Sequence, residues 1–208
     1  MRTARPGRKN WRESIIGAML RFEPWLSRAD HADARPVLRA LLGASLTGVR
    51  YLHAEDDFWP NGHRHDDIHE VDMGVELTTA AGTRLVVSWA MDGIVQGLGR
   101  RMLPQGHEDP VRDSVEVGGM EQWRPRLGRT VLRAGLASHV AEDDCAPTYW
   151  SLRLEFDGGR SPVIALGEAD EGGHHQPDAL VVLFDEDTAR GYVPVSSSTP
   201  AWGELVIA

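Results

Sequence analysis

Two stretches of this chain, residues 42–93 and 127–172, repeat one another in the order of their parts, and that order restricts the fold more than any other feature. Each opens on Leu-Gly, Leu42-Gly43 and Leu127-Gly128, and runs into an alternating apolar segment of the kind that makes a half-buried strand. Each then crosses an acidic loop, Ala54-Glu55-Asp56-Asp57 in the first and Ala141-Glu142-Asp143-Asp144 in the second. A hairpin follows. Val75, Leu77 and Thr79 alternate with Glu76 and Thr78, Ala81-Gly82 makes the turn, and Leu85, Val87 and Trp89 return on the buried face. In the second stretch Leu152, Leu154 and Phe156 take the first strand, Gly158-Gly159 the turn, and Ile164 and Leu166 the places of Val87 and Trp89. The second copy is longer within its first strand and shorter in the loop before the hairpin. Matching parts in matching order predict two β-meander repeats. The expected fold is mainly β, of the α+β kind, a curved sheet or partial barrel with an N-terminal helix.

The rest of the chain arranges itself around these copies. Residues 1–34 read as a basic arm, with Arg2, Arg5, Arg8 and Lys9, and a helix carrying Trp11, Ile15, Met19 and Phe22 at helical spacing after an Asn10 cap. Residues 35–100 hold the first repeat, led by a short helix from Pro36 to Leu42 and strands at Leu46–Leu52 and Val71–Thr79. Residues 101–122, polar and rich in Gly and Pro, read as a linker. The second repeat occupies 123–195, with a buried strand at Ala179–Phe184 and a helical turn capped by Asp185 or Asp187. Residues 196–208 form a tail ending in the apolar edge strand Leu205-Val206-Ile207. The repeats are expected to fuse into one domain.

Charge removes several functions. With 22 basic against 31 acidic residues the formal net charge is −9, and no Lys/Arg cluster is evident outside the N-terminal arm, which argues against nucleic acid as a partner. Lys9 is the only lysine, so P-loop, kinase and Schiff-base chemistry would each have to use a residue of the basic arm. That arginine bias is the kind a GC-rich bacterial genome produces. Cys145 is the only cysteine, so neither a CxxC site nor an internal disulfide can form, and a reducing cytoplasm suits the chain. Its two preceding aspartates oppose thiolate formation. The apolar run Ile15 to Leu20 is too short to span a bilayer, so a soluble, cytoplasmic protein without a membrane partner is expected.

One segment has metal-ligand chemistry. In Asn61-Gly62-His63-Arg64-His65-Asp66-Asp67-Ile68-His69-Glu70, His63 and His65 would leave an extended strand on one side, with His69 or Glu70 arriving from the next turn. His63, His65 and Glu70 resemble the first metal motif of the cupins, although Asp57 and Leu77 occupy its flanking glycine positions. The resemblance implies a divalent metal such as zinc, iron or manganese. The cluster falls in the stretch that the second copy shortens. No GxSxG elbow is present, and Gly97-Leu98-Gly99 lacks the rest of a dinucleotide-binding loop.

Trp11, Trp25 and Trp59 sit near element ends or in loops, where an indole beside carboxylates suits a protein interface. The preferred expectation is a non-catalytic bacterial interaction or accessory protein, of the immunity type for instance, without a cofactor, binding a protein partner through an acidic, Trp-bearing surface. The alternatives are a cupin-like metal protein using His63, His65, His69 and Glu70, and a small-ligand carrier with its cavity between the copies.

Overall fold

The computed structural model describes residues 23–24, 31–53, 64–65, 67–92, 95–103, 114–139, 148–159, 161–167, 179–193 and 199–207. The basic arm, the Trp11–Phe22 helix, both acidic loops, His63, Cys145, Trp11, Trp25 and Trp59 lie outside these residues. Two antiparallel sheets make up the protein. In the first, β1 (Glu23–Pro24), β7 (Val95–Leu103), β6 (Arg84–Asp92), β5 (Gly74–Thr79), β2 (Leu46–Leu52) and β8 (Ser114–Glu116) lie side by side in that order. In the second the order is β13 (Glu204–Ile207), β9 (Val131–His139), β10 (Thr148–Phe156), β11 (Val163–Leu166), β12 (Leu180–Leu183), β4 (Ile68–Val71) and β3 (Arg64–His65). The protein is mainly β, and its strands form two open sheets rather than a closed barrel.

Helix α1 (His31–Leu41) precedes β2 and buries Ala34, Val37, Leu38 and Leu41, a stripe at helical spacing, while Arg35 and Arg39 face water. It is a turn longer at its start than Pro36–Leu42, so Pro36 lies inside it rather than in its first turn. Gly43, at φ 74°, ends it in the left-handed conformation that favours glycine.

The two meanders correspond bond for bond. Where they meet, Gly43 N donates to Val131 O and Gly128 N to Leu46 O, while Leu46 N donates to Arg129 O and Val131 N to Ala44 O. Exchanging Gly43 with Gly128 and Leu46 with Val131 turns each bond into its mate, about a bridge between Ser45 and Thr130. Gly128, at φ 77°, shares the conformation of Gly43. The correspondence continues outward. Val49 faces Leu77 as Ala134 faces Leu154, and Val75 faces Val87 as Leu152 faces Ile164. Even the bulge recurs, with Thr47 looped out of β2 and Leu132 out of β9. The ladders stay in step through Leu52 and Ala137, so the extra length of the second copy lies beyond that point of the strand.

Two expectations are corrected. The strand expected at Val71–Thr79 is two strands in two sheets: Val71 ends β4, which pairs with β12, and Gly74 begins β5, which pairs with β2. Gly74 packs so closely that a Cβ there would lie 2.9 Å from Val87 O, and Met73 N bonds Leu52 O at 3.2 Å. The stretch 101–122 contains the end of β7 and all of β8, so it is partly sheet rather than linker. The two sheets pack on one another. They share a core in which Val49, Tyr51, Leu77 and Leu98 of the first meet Leu136, Leu152, Leu154 and Val182 of the second. A second seam joins β7 to β10, where Thr148 Oγ1 donates to Gln96 O at 2.8 Å.

Candidate functional site

The insertion unique to the first copy leaves β2 and re-enters as the β3–β4 hairpin on the far edge of the second sheet. Side chains alternate across a strand, and β4 follows that rule: His69 and Val71 are buried, Ile68 and Glu70 half-buried. His69 and Glu70 therefore leave the strand on opposite sides. His65 lies in β3 with its backbone opposite Ile68. His63 is outside the described residues, and among the described residues no three His, Cys, Asp or Glu side chains converge as a metal cluster would.

His69 has no exposure to solvent and is bound from within the fold. Tyr51 Oη lies 2.9 Å from His69 Nδ1, and Trp123 Nε1 donates to Tyr51 Oη at 2.7 Å. An indole N–H only donates, so the Tyr51 hydroxyl accepts from Trp123 and gives its own proton to His69 Nδ1. His69 is thereby set as the tautomer that carries hydrogen on Nε2. Phe184 packs edge-on against both rings, at 4.8 Å from His69 and 5.1 Å from Trp123. Arg126 lies over the other side of that cluster, 5.1 Å from the Phe184 centroid, and donates to Gln122 O and Phe184 O. Burial drives the Tyr51 phenol far above its ordinary pKa, and the Trp123 N–H and the Arg126 charge only partly offset it.

These groups come from β2, β4, the turn after β8, and the end of β12. Their joint effect is to fasten the insertion's strand to the first sheet through side chains and to the second through its backbone. Of the residues singled out for chemistry in the sequence, only His69 takes part. Neither Tyr51, in a strand, nor Trp123, near an element end where an indole can be half exposed but here fully buried, carries a spacing signal for chemistry.

Clefts open at two places on the second copy. One, of about 140 Å³, is lined by Pro125, Arg126, Arg129, Phe156, Asp157 and Gly158; the other, of about 50 Å³, lies against β9 and β13. Both are smaller than the roughly 300–1,000 Å³ of small-molecule sites. The first cleft corrects the view that no basic cluster exists outside the arm. Residues 122–140 hold Arg124, Arg126, Arg129 and Arg133 and no Asp or Glu, a signal present in the sequence.

The remaining tryptophans divide between core and rim. Trp150 is fully buried, Trp89 is half-buried and donates to Asp72 O, and Trp202 is half-buried beneath the guanidinium groups of Arg153 at 4.3 Å and Arg190 at 4.9 Å. No described helix is long and apolar enough to cross a membrane. Comparison with protein-family models, curated proteins and solved structures finds no match.

Proposed function

We propose that the chain is a non-catalytic interaction protein, of the accessory or immunity type, whose partner is a protein with a basic face. The observation that carries this reading is where the apolar side chains are left outside. β13 forms the outer edge of the seven-stranded sheet, with Leu205 44% exposed, and its neighbour β9 presents Leu132, 50% exposed at the bulge. An edge strand offers unpaired backbone groups to a partner strand, and exposed leucines on it and on its neighbour supply anchors. The acidic balance of the chain favours a basic partner, and Trp11, Trp25 and Trp59 are the candidate indole contacts. By contrast, Tyr51, His69 and Trp123 are sealed, with Tyr51 Oη bonded to His69 Nδ1 and Trp123 Nε1.

The reading is tested by affinity purification of the full chain from cells of its source, with the Leu132→Asp/Leu205→Asp double variant beside it. One stoichiometric partner, released by salt and lost with the double variant, is the expected result. Stoichiometric zinc, iron or manganese that vanishes in His63→Ala/His65→Ala, with no partner recovered, would overturn it in favour of a metal protein.

A further inference from the structure

The copies share a frame but not a charge pattern, and the difference gathers at the 140 Å³ cleft. The bonds that shape its two walls have counterparts in the first copy. Arg129 N to Arg126 O matches Ala44 N to Leu41 O, both at 3.1 Å. Asp157 N to Thr130 O matches Ala80 N to Ser45 O, and Gly159 N to Phe156 O matches Gly82 N to Thr79 O. So Leu41, Ala44 and Ala80 stand where the second copy has Arg126, Arg129 and Asp157. The first copy makes the same turns with no charged side chain, and the turns therefore do not require the arginines.

We infer that this cleft binds a small tetrahedral oxyanion, of the phosphate class, between Arg126 and Arg129. Arg126 is 2% exposed, so water screens its charge poorly, and its field extends into the cleft. Its guanidinium is held in place by the Gln122 and Phe184 carbonyls, which makes it a fixed positive wall. Arg129 is exposed, and no described carboxylate forms an ion pair with it; its guanidinium reaches over Gly158, where it is free to grip two oxygens at once. Arg124 adds a third cation on the adjoining turn, whereas Arg133 is already paired with Glu155 at 2.6 Å. Asp157 opposes the anion but is turned toward the backbone, its Oδ1 accepting from Thr130 N at 2.7 Å. The inference does not depend on the protein-partner reading.

The test is a titration of the full chain with inorganic phosphate at constant ionic strength, followed by the amide NMR shifts of Thr130, Asp157, Gly158 and Gly159. Saturable shifts confined to these amides are expected. Arg129→Gln, an exposed change that leaves the fold intact, should weaken binding at least about tenfold, as loss of a charge-assisted hydrogen bond predicts. Asp157→Asn should strengthen it, and Arg39→Gln on α1 should leave it unchanged. A phosphate monoester such as glycerol phosphate separates the sources: exclusion of the ester supports the free ion, and equal or tighter binding supports a phosphoryl group carried by a larger ligand. Linear, unsaturable shifts, or equal weakening by Arg129→Gln and Arg39→Gln, would overturn the inference.

Discussion

The first and second copies are nearly the same backbone with different contents. Their junction hydrogen bonds and bulges exchange under one offset, Gly43 to Gly128, and their hairpin bonds and turn glycines under a second, Gly82 to Gly159. They differ in side chains, in the insertion, in strand length and in the segment that leads in, an α-helix before the first copy and a turn of 3-10 helix before the second. Tyr51 of the first copy stands where the second has Leu136, and Leu38 and Leu41 of the first stand where the second has Trp123 and Arg126. Polar groups at these three places therefore occur in only one copy each, and all three meet in a single cluster. A frame that folds with leucine at a position does not need tyrosine or arginine there. The unequal positions carry the specialised roles, and the equal ones carry the fold.

The largest way to strain this comparison is at Trp123 and its counterpart. Trp123→Ala should cost about 3–5 kcal/mol by chemical denaturation, because it removes a buried ring and the donor to Tyr51. Leu38→Ala, which removes volume alone, should cost less. A costlier Leu38 variant would mean that the indole is only filler.

At Tyr51 the effect is smaller. Tyr51→Phe leaves Trp123 and His69 without their common partner and should destabilise by about 1–3 kcal/mol. Leu136→Met, the corresponding conservative change in the second copy, should cost under about 1.5 kcal/mol. Equal losses would deny the hydroxyl any special role.

The paired glycines test the symmetry itself. Gly43 and Gly128 have positive φ, and a Cβ added at either meets nothing within 4 Å, so the penalty is conformational only. Gly43→Ala and Gly128→Ala should each cost about 1–2 kcal/mol and match one another. A clear inequality would show that one copy imposes the junction on the other.

The last effect is absent near neutrality. Because burial raises the Tyr51 phenol's pKa in the folded protein, an unfolded tyrosine releases its proton first as pH rises. The stability advantage over Tyr51→Phe is thus whole below about pH 10 and shrinks above it. Denaturation midpoints of both proteins across alkaline pH check the sign. A constant gap would place an ionised Tyr51 in the native state.

Much of the frame was readable from residues alone, since it depends on local periodicity. Leu46–Leu52, the Ala81-Gly82 turn, the buried run ending at Phe184 and the Asp185 cap, whose side chain takes the Thr188 N–H at 2.8 Å, all follow from short-range patterns. The failures are long-range. Val71 and Val75 look like one alternating strand because nothing local reveals that Val71 is claimed by Leu180 and Val75 by Tyr51. β7 was hidden because Arg100 and Arg101 give its outer part a linker's polarity, although Leu98 is fully buried. Of the candidate site, His69 was named for metal chemistry, but its hydroxyl partner lies on another strand and cannot be inferred from spacing. The basic cleft was legible as an acid-free run of arginines; its closure against Asp157 and Gly158 was not.

The path of β4 has a consequence for how the chain is made. Emerging from the ribosome, the first copy can complete its own meander, yet Ile68 to Val71 has no place in that sheet. Its backbone partners, Leu180 to Leu183, are synthesised more than a hundred residues later. Until then the nascent chain holds an unpaired strand with a valine and a histidine meant for the interior, a template for wrong pairing between neighbouring polysomes. Closure of the second sheet therefore waits for β12, and it is the step at which a chaperone that shields strand edges would raise the yield.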